Sequence, residues 1–204
     1  VAARDLAAAA AHRRAVGVGP GGGGASGGAS GGSSGGSSGI QGAEVGVRVR
    51  VLAVPGGSRA DARSAAARAW PDLRRLCPSC GSGAHGRPRH ADGRACSLAY
   101  APGVALLATA DDGRGVGVDV ERDDERVPDL PGVLILADWV RLEAVAKATG
   151  AGLRGTDPSR LPPHRAVAVP LAGLVASVAL LGSDAVPVLR VERVPSPPGG
   201  TSYV

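Results

Sequence analysis

Two carboxylates one residue apart, Asp119 and Glu121 in the run GVGVDVE, are the side chains here best suited to chemistry. A second pair, Glu143 and Lys147, lies one helical turn apart in EAVAKATG. Side chains of a strand alternate between its two faces. If Val116, Val118 and Val120 point into a core, Gly117, Asp119 and Glu121 share the other face, and Gly117 leaves room there for a ligand to approach the backbone. Carboxylates held that close repel unless a proton or a cation sits between them. Hard oxygen ligands with open positions suit Mg²⁺, which keeps several waters and takes phosphate oxygens from a substrate. A solvated acidic edge is the plainer alternative. For Glu143 and Lys147 the plainer alternative is an i,i+4 surface pair, worth about 0.3–0.5 kcal/mol.

Lys147 is the only lysine among 23 Lys and Arg residues. An ammonium is a compact point charge that can also donate a proton, a role the permanently charged planar guanidinium does not fill equally. A lone lysine beside a carboxylate therefore carries more information than any one of the many arginines.

A third constellation is CPSCGSGAHGRPRH, in which Cys77, Cys80, His85 and His90 follow a C-x₂-C-x₄-H-x₄-H spacing, with Cys96 as a possible replacement ligand. The spacing approaches that of a zinc knuckle. It supports an alternative reading as a zinc-knuckle-like nucleic-acid-binding protein, although the loop has no aromatic residue on which a base could stack. An incidental Pro/Gly-rich loop is the third possibility. The run GRGVGVD is followed by a strand pattern, not a helix, which excludes a dinucleotide-binding turn.

The elements that must position these groups read as follows. EVGVRVRVLAV alternates as a strand. A helix runs from residue 58 to about Trp70, where Pro71 interrupts it. Residues 77–94 form a loop. Two strand runs in ACSLAYAPGVALLATA are split by Pro102-Gly103, and GVGVDVE is a further strand. A charged loop leads to a helix over about 138–149, with Asp138 as N-cap and Gly150 as stop. On that helix Trp139, Leu142, Val145, Ala146 and Thr149 form the buried arc, Glu143 and Lys147 border it, and Arg141, Ala144 and Ala148 lie opposite. A proline-rich connector over 154–170 precedes two final strands. Mixed strands and few helices indicate an α+β fold.

Composition sets limits. With 33 Gly, 16 Pro, no Phe or Met, two Trp and two Tyr, the core must be built from Ala, Val and Leu. Residues 1–16 could form a short alanine-rich helix, and residues 17–39 are a Gly/Ser linker. The 1–43 extension is expected to be disordered and the tail from 196 frayed. The net charge of +5 permits a polyanionic partner. Residues 59–94 carry eight Arg against three acids, and residues 111–129 carry eight acids against three Arg. That segregation suits a phosphate-rich ligand held by arginine on one side and through a metal on the other. No run is long enough to span a membrane, Ala7–Ala11 is too short for a secretory core, and three cysteines do not make a closed disulfide set. The expectation is a cytoplasmic monomer.

VGVDVE followed by W-x-x-x-E-A-V-x-K-A-T-G resembles the signature of the Sfp-type 4'-phosphopantetheinyl transferases, and GSGAHGRP and SLAYAPGVALLATA resemble segments of the same family. The similarity covers roughly residues 45–194. It implies two similar small halves, 44–110 and 111–195, related by a pseudo-twofold, with the ligand between them. It further implies transfer of phosphopantetheine from coenzyme A to a serine of an acyl or peptidyl carrier protein, releasing adenosine 3',5'-bisphosphate. By resemblance, Asp119, Glu121 and Glu143 hold Mg²⁺, and Glu143 is the base for the serine. Lys147 neutralises the α-phosphate and assists departure of the leaving group, while Arg87 contacts the nucleotide. Tyr100 stands where the family has a phosphate-touching histidine, Leu142 where it commonly has lysine, and the stretch between Glu121 and the helix is short. A catalytically weakened relative is the alternative within the same reading.

Overall fold

The computed structural model describes residues 43–77, 80–83, 86–130, 132–153, 160–182 and 184–195. The N-terminal extension through residue 42, the tail from 196 and His85 lie outside the described residues.

Valine alternation builds the first strand, β1 (Ala43–Ala53), in which Val45, Val47 and Val49 are buried and Arg48 and Arg50 face outward. A helix, α1 (Arg59–Ala69), follows. Its start is fixed by a capping box: Asp61 N donates to Ser58 Oγ at 3.2 Å, and Ser58 N donates to Asp61 Oδ2 at 2.8 Å. Next come a short hairpin, β2 (Leu73–Leu76) and β3 (Arg87–His90), then β4 (Cys96–Ala101) and β5 (Val104–Ala110). Pro102-Gly103 makes the β4–β5 turn, where Gly103 has φ 84°, a backbone angle that glycine adopts without strain.

The second part follows a similar strand, helix, hairpin order, without a counterpart of β2–β3. β6 (Val116–Arg122) leads to α2 (Leu136–Thr149), then to a hairpin of β7 (His164–Ala168) and β8 (Leu174–Leu181). In each part the first strand pairs with the second strand of the hairpin, giving the orders β1–β5–β4 and β6–β8–β7. The last strand, β9 (Ala185–Val194), returns to the first sheet and pairs in parallel with β1. The 111–195 segment thus contributes a strand to the sheet of the 44–110 segment.

The fold is mixed α+β, in four layers. The inner faces of the two larger sheets share one core, which joins Val47, Val49, Leu106 and Ala108 to Val116, Val118, Val120, Val178 and Leu180. Burying each valine or leucine contributes roughly 1.5–3 kcal/mol. α1 covers the outer face of the first sheet through Ala62, Ala65 and Ala66 on Leu52, Ala105 and Leu107. α2 covers the outer face of the second through Ala144, Val145 and Ala148 on Ala179, with Trp139 and Val140 set against Val175. Ser97 ties β4 to β6, since its Oγ accepts from Val118 N at 3.0 Å.

Several sequence expectations are corrected. β2 lies in the stretch after Pro71 to which no element was assigned, β3 in the stretch read as loop, and β7 in the stretch read as connector. α2 begins at Leu136, and Asp138 sits inside its first turn, where Oδ2 accepts from Leu134 N and Ile135 N, each at 3.2 Å. Ala144 and Ala148 are not on an open side but fully buried. The reason is Gly117: a Cβ there would overlap Ala144 O and come within 2.6 Å of Ala148 N. The space beside Gly117 belongs to the backbone of α2, not to a ligand. Among the described residues no helix is long and apolar enough to cross a membrane.

Candidate metal centre

The valines of β6 face the shared core, so Asp119 and Glu121 face α2 as strand periodicity requires. Gly117 lets α2 approach closely, and Glu143 then reaches the same place from the helix. One carboxylate oxygen from each of Asp119, Glu121 and Glu143 lies within 4.8 Å of the others. Asp119 is only 3% exposed and Glu121 7%. Carboxylates that deep are costly without compensation.

Compensation comes from two cations. Lys147 Nζ donates to Asp119 Oδ1 at 2.5 Å and lies 3.9 Å from Glu143 Oε2. Its main partner is therefore the strand aspartate, not the glutamate one turn earlier, and the i,i+4 surface-pair reading gives way. Arg59, the first residue of α1, donates through Nη2 to Glu121 Oε2 at 2.5 Å. Asp119 Oδ2 is buried with no hydrogen-bond partner while Glu143 is ionised, and a proton on Glu143 would be shared with Asp119. Burial first, then the adjacent Asp119 charge, push the Glu143 carboxyl up to about 8 against the opposing pull of Lys147. Burial also raises Glu121, which Arg59 partly offsets.

Three converging carboxylates with an orphaned buried oxygen among them fit a divalent cation: a hard ion would satisfy Asp119 Oδ2 and replace mutual repulsion with coordination. Asp119, Glu121 and Glu143 would hold it.

The other expected site residues lie elsewhere. Arg87, on β3, donates through Nη2 to Ala148 O at 3.1 Å, so it caps the carbonyl end of α2 next to Lys147 in sequence. A positive charge suits that end of the helix dipole. Tyr100 points to the α1 side of β4. Its ring lies under the Arg63 guanidinium at 5.4 Å, and its hydroxyl accepts from Arg75 Nη2 at 3.5 Å. Tyr100, Trp70, Arg63, Arg74 and Arg75 line a cavity of about 440 Å³ whose lining, among the described residues, includes no acid. Leu142 is half-buried and packs with the Trp139 cluster.

Among the described residues the acidic triad is the one grouping that could hold a metal. Cys96 is buried under α1, and desolvation pushes its thiol up to about 11, which disfavours the thiolate a metal needs. His85 lies outside the described residues.

Sequence reasoning did not single out Arg59. The capping signature places it at the start of a helix, but no local pattern points across 62 residues to Glu121.

Fold and site together define a mixed α+β protein with a buried acidic triad and two attendant cations, and with a separate arginine-lined cavity on the α1 side of the first sheet. No protein-family model, no curated protein and no solved structure matches the chain.

Proposed function

We propose that the chain is a Mg²⁺-dependent transferase that moves 4'-phosphopantetheine from coenzyme A to a serine of an acyl or peptidyl carrier protein. One observation carries the reading: the two acids of β6 and the acid of α2 meet within 4.8 Å, with the only lysine of the chain 2.5 Å from Asp119. The shared order of connections in the two sheets supports a pseudo-twofold relation between the halves.

When bound, Mg²⁺ supplies charge neutralisation at the pyrophosphate, which phosphoryl-centre chemistry needs more than covalent help. Glu143 accepts the proton of the carrier serine as its Oγ bonds to phosphorus. The bond from phosphorus to the bridging oxygen breaks, and adenosine 3',5'-bisphosphate departs with Lys147 neutralising the charge that develops. Tyr100 and the arginines around it offer hydrogen bonds and positive charge to the nucleotide phosphates. Arg87 orders the end of α2 next to Lys147. The net charge of +5 favours an acidic carrier.

Intact-mass measurement tests the reading. The protein is incubated with coenzyme A, Mg²⁺ and apo forms of an acyl and a peptidyl carrier. Addition of one phosphopantetheine group to a carrier, abolished by chelator, is expected. No gain on either carrier, under conditions where an active transferase loads both, overturns it.

A further inference from the structure

Resting on the metal centre just proposed, we infer that Arg59 is a further residue of the site. In the metal-free protein it holds Glu121, and once a divalent cation takes that carboxylate it turns to the anionic substrate. Cation binding then precedes and enables tight binding of the phosphates.

Three features of Arg59 lead there. First, its backbone is fixed and its side chain is not. Arg59 opens α1 directly after the capped Ser58, and α1 is anchored on the first sheet, yet the Arg59 side chain is 50% exposed. Glu121 is the opposite case, with a side chain 9% exposed on a strand paired along its length with β8. When the pair separates, the arginine moves.

Second, the charges at the triad favour its release, with Glu125 the further acid near enough to act on Glu121. Three carboxylates here face Lys147 and Arg59. A divalent cation drawing an oxygen from each acid adds two positive charges beside a guanidinium only 2.5 Å from Glu121 Oε2. The carboxylate charge that held Arg59 is then shared with the ion, and the two cations repel.

Third, the arriving ligand is what a released guanidinium binds best. Phosphate oxygens accept the planar fork in pairs, and such charge-assisted bonds are the stronger kind. Arg59 also belongs to the first sheet's helix while the acids belong to the second sheet and its helix, so an anion held by Arg59 and by a cation on the acids would bridge the two layers. Within the capping box Asp61 is already engaged by Ser58, so it does not compete strongly for the released arginine.

The experiment uses the full chain, with Mn²⁺ as cation probe read by electron paramagnetic resonance and adenosine 3',5'-bisphosphate as anion probe read by calorimetry. Arg59→Ala and Arg59→Lys are compared with wild type after circular dichroism establishes that each is folded. Arg59→Ala is expected to bind Mn²⁺ about two- to fivefold more tightly, the range of a part-exposed ion pair removed from competition. With Mn²⁺ saturating, its affinity for the nucleotide is expected to fall about tenfold or more, the loss of a charged hydrogen bond. Without Mn²⁺ the nucleotide affinities of wild type and Arg59→Ala are expected to match, since Arg59 is then engaged by Glu121. Arg59→Lys should recover part of the Mn²⁺-dependent gain. Unchanged or weaker Mn²⁺ binding in Arg59→Ala makes Arg59 a fixed strut and overturns the inference while leaving the metal centre intact. Equal nucleotide losses with and without Mn²⁺ also overturn it. A wild-type protein that binds no Mn²⁺ overturns both the metal centre and the exchange.

Discussion

Substituting Glu143 by Gln should change how the stability of the metal-free protein depends on pH. The Glu143 carboxyl is pushed up to about 8 by burial and by Asp119, from an ordinary 4.5. The folded chain then keeps a proton that the unfolded chain has already released, so stability falls as pH rises through the interval between those two values. The contribution is fully present below the unfolded value and lost above the folded one. The slope for one group is about 1.36 kcal/mol per pH unit, so raising the pH from about 6 to about 9 should cost about 2–3 kcal/mol. Glu121, also raised, acts in the same direction. Urea unfolding in chelator measures the effect, with fluorescence of the two buried tryptophans, Trp70 under α1 and Trp139 on α2, reporting both parts of the molecule. Wild type should lose stability across that range, and Glu143→Gln should lose distinctly less, because its amide does not ionise. A wild-type profile that is flat or rises over the same range, or an unchanged slope in the variant, would refute the buried, proton-holding assignment of Glu143.

Two further outcomes follow from the same geometry. Gly117→Ala places a methyl group on Ala144 O, so α2 must shift; thermal unfolding should show a loss of about 1–3 kcal/mol and titration a weakened Mn²⁺ site. Lys147→Ala leaves Asp119 buried without its cation. Discounted for the partial exposure of Lys147, the loss should be about 1–3 kcal/mol in urea unfolding, with carrier modification abolished in the mass assay.

The parts of the fold legible in sequence are those with strict periodicity. Val45, Val47 and Val49 mark β1, and Val116, Val118 and Val120 mark β6, because a strand with one core face cannot slip by a residue without exposing it. The stop at Trp70–Pro71 and the αL Gly150 marked helix ends for the same local reasons. β2, with LRRL, and β3, with RPRH, were not legible: four-residue strands with arginines and a proline carry no clear alternation. Ala144 and Ala148 were misassigned because alanine is small enough for either face, and only the close approach at Gly117 decides which. That Asp119 and Glu121 share one face of β6 was readable from strand alternation, whereas Glu143 joined them only through the family resemblance. The Arg59–Glu121 contact, like the return of β9 to β1, is set by how the layers stack, which no local pattern records.

Crystals of the full chain grown with Mn²⁺ and measured at the manganese absorption edge test the metal centre most directly. The account predicts one anomalous peak per chain at about 2.0–2.3 Å from an oxygen of each of Asp119, Glu121 and Glu143, with Lys147 no longer on Asp119. No peak at this triad in saturating Mn²⁺, or Lys147 and Arg59 still closing the carboxylates with the ion bound elsewhere, would contradict it.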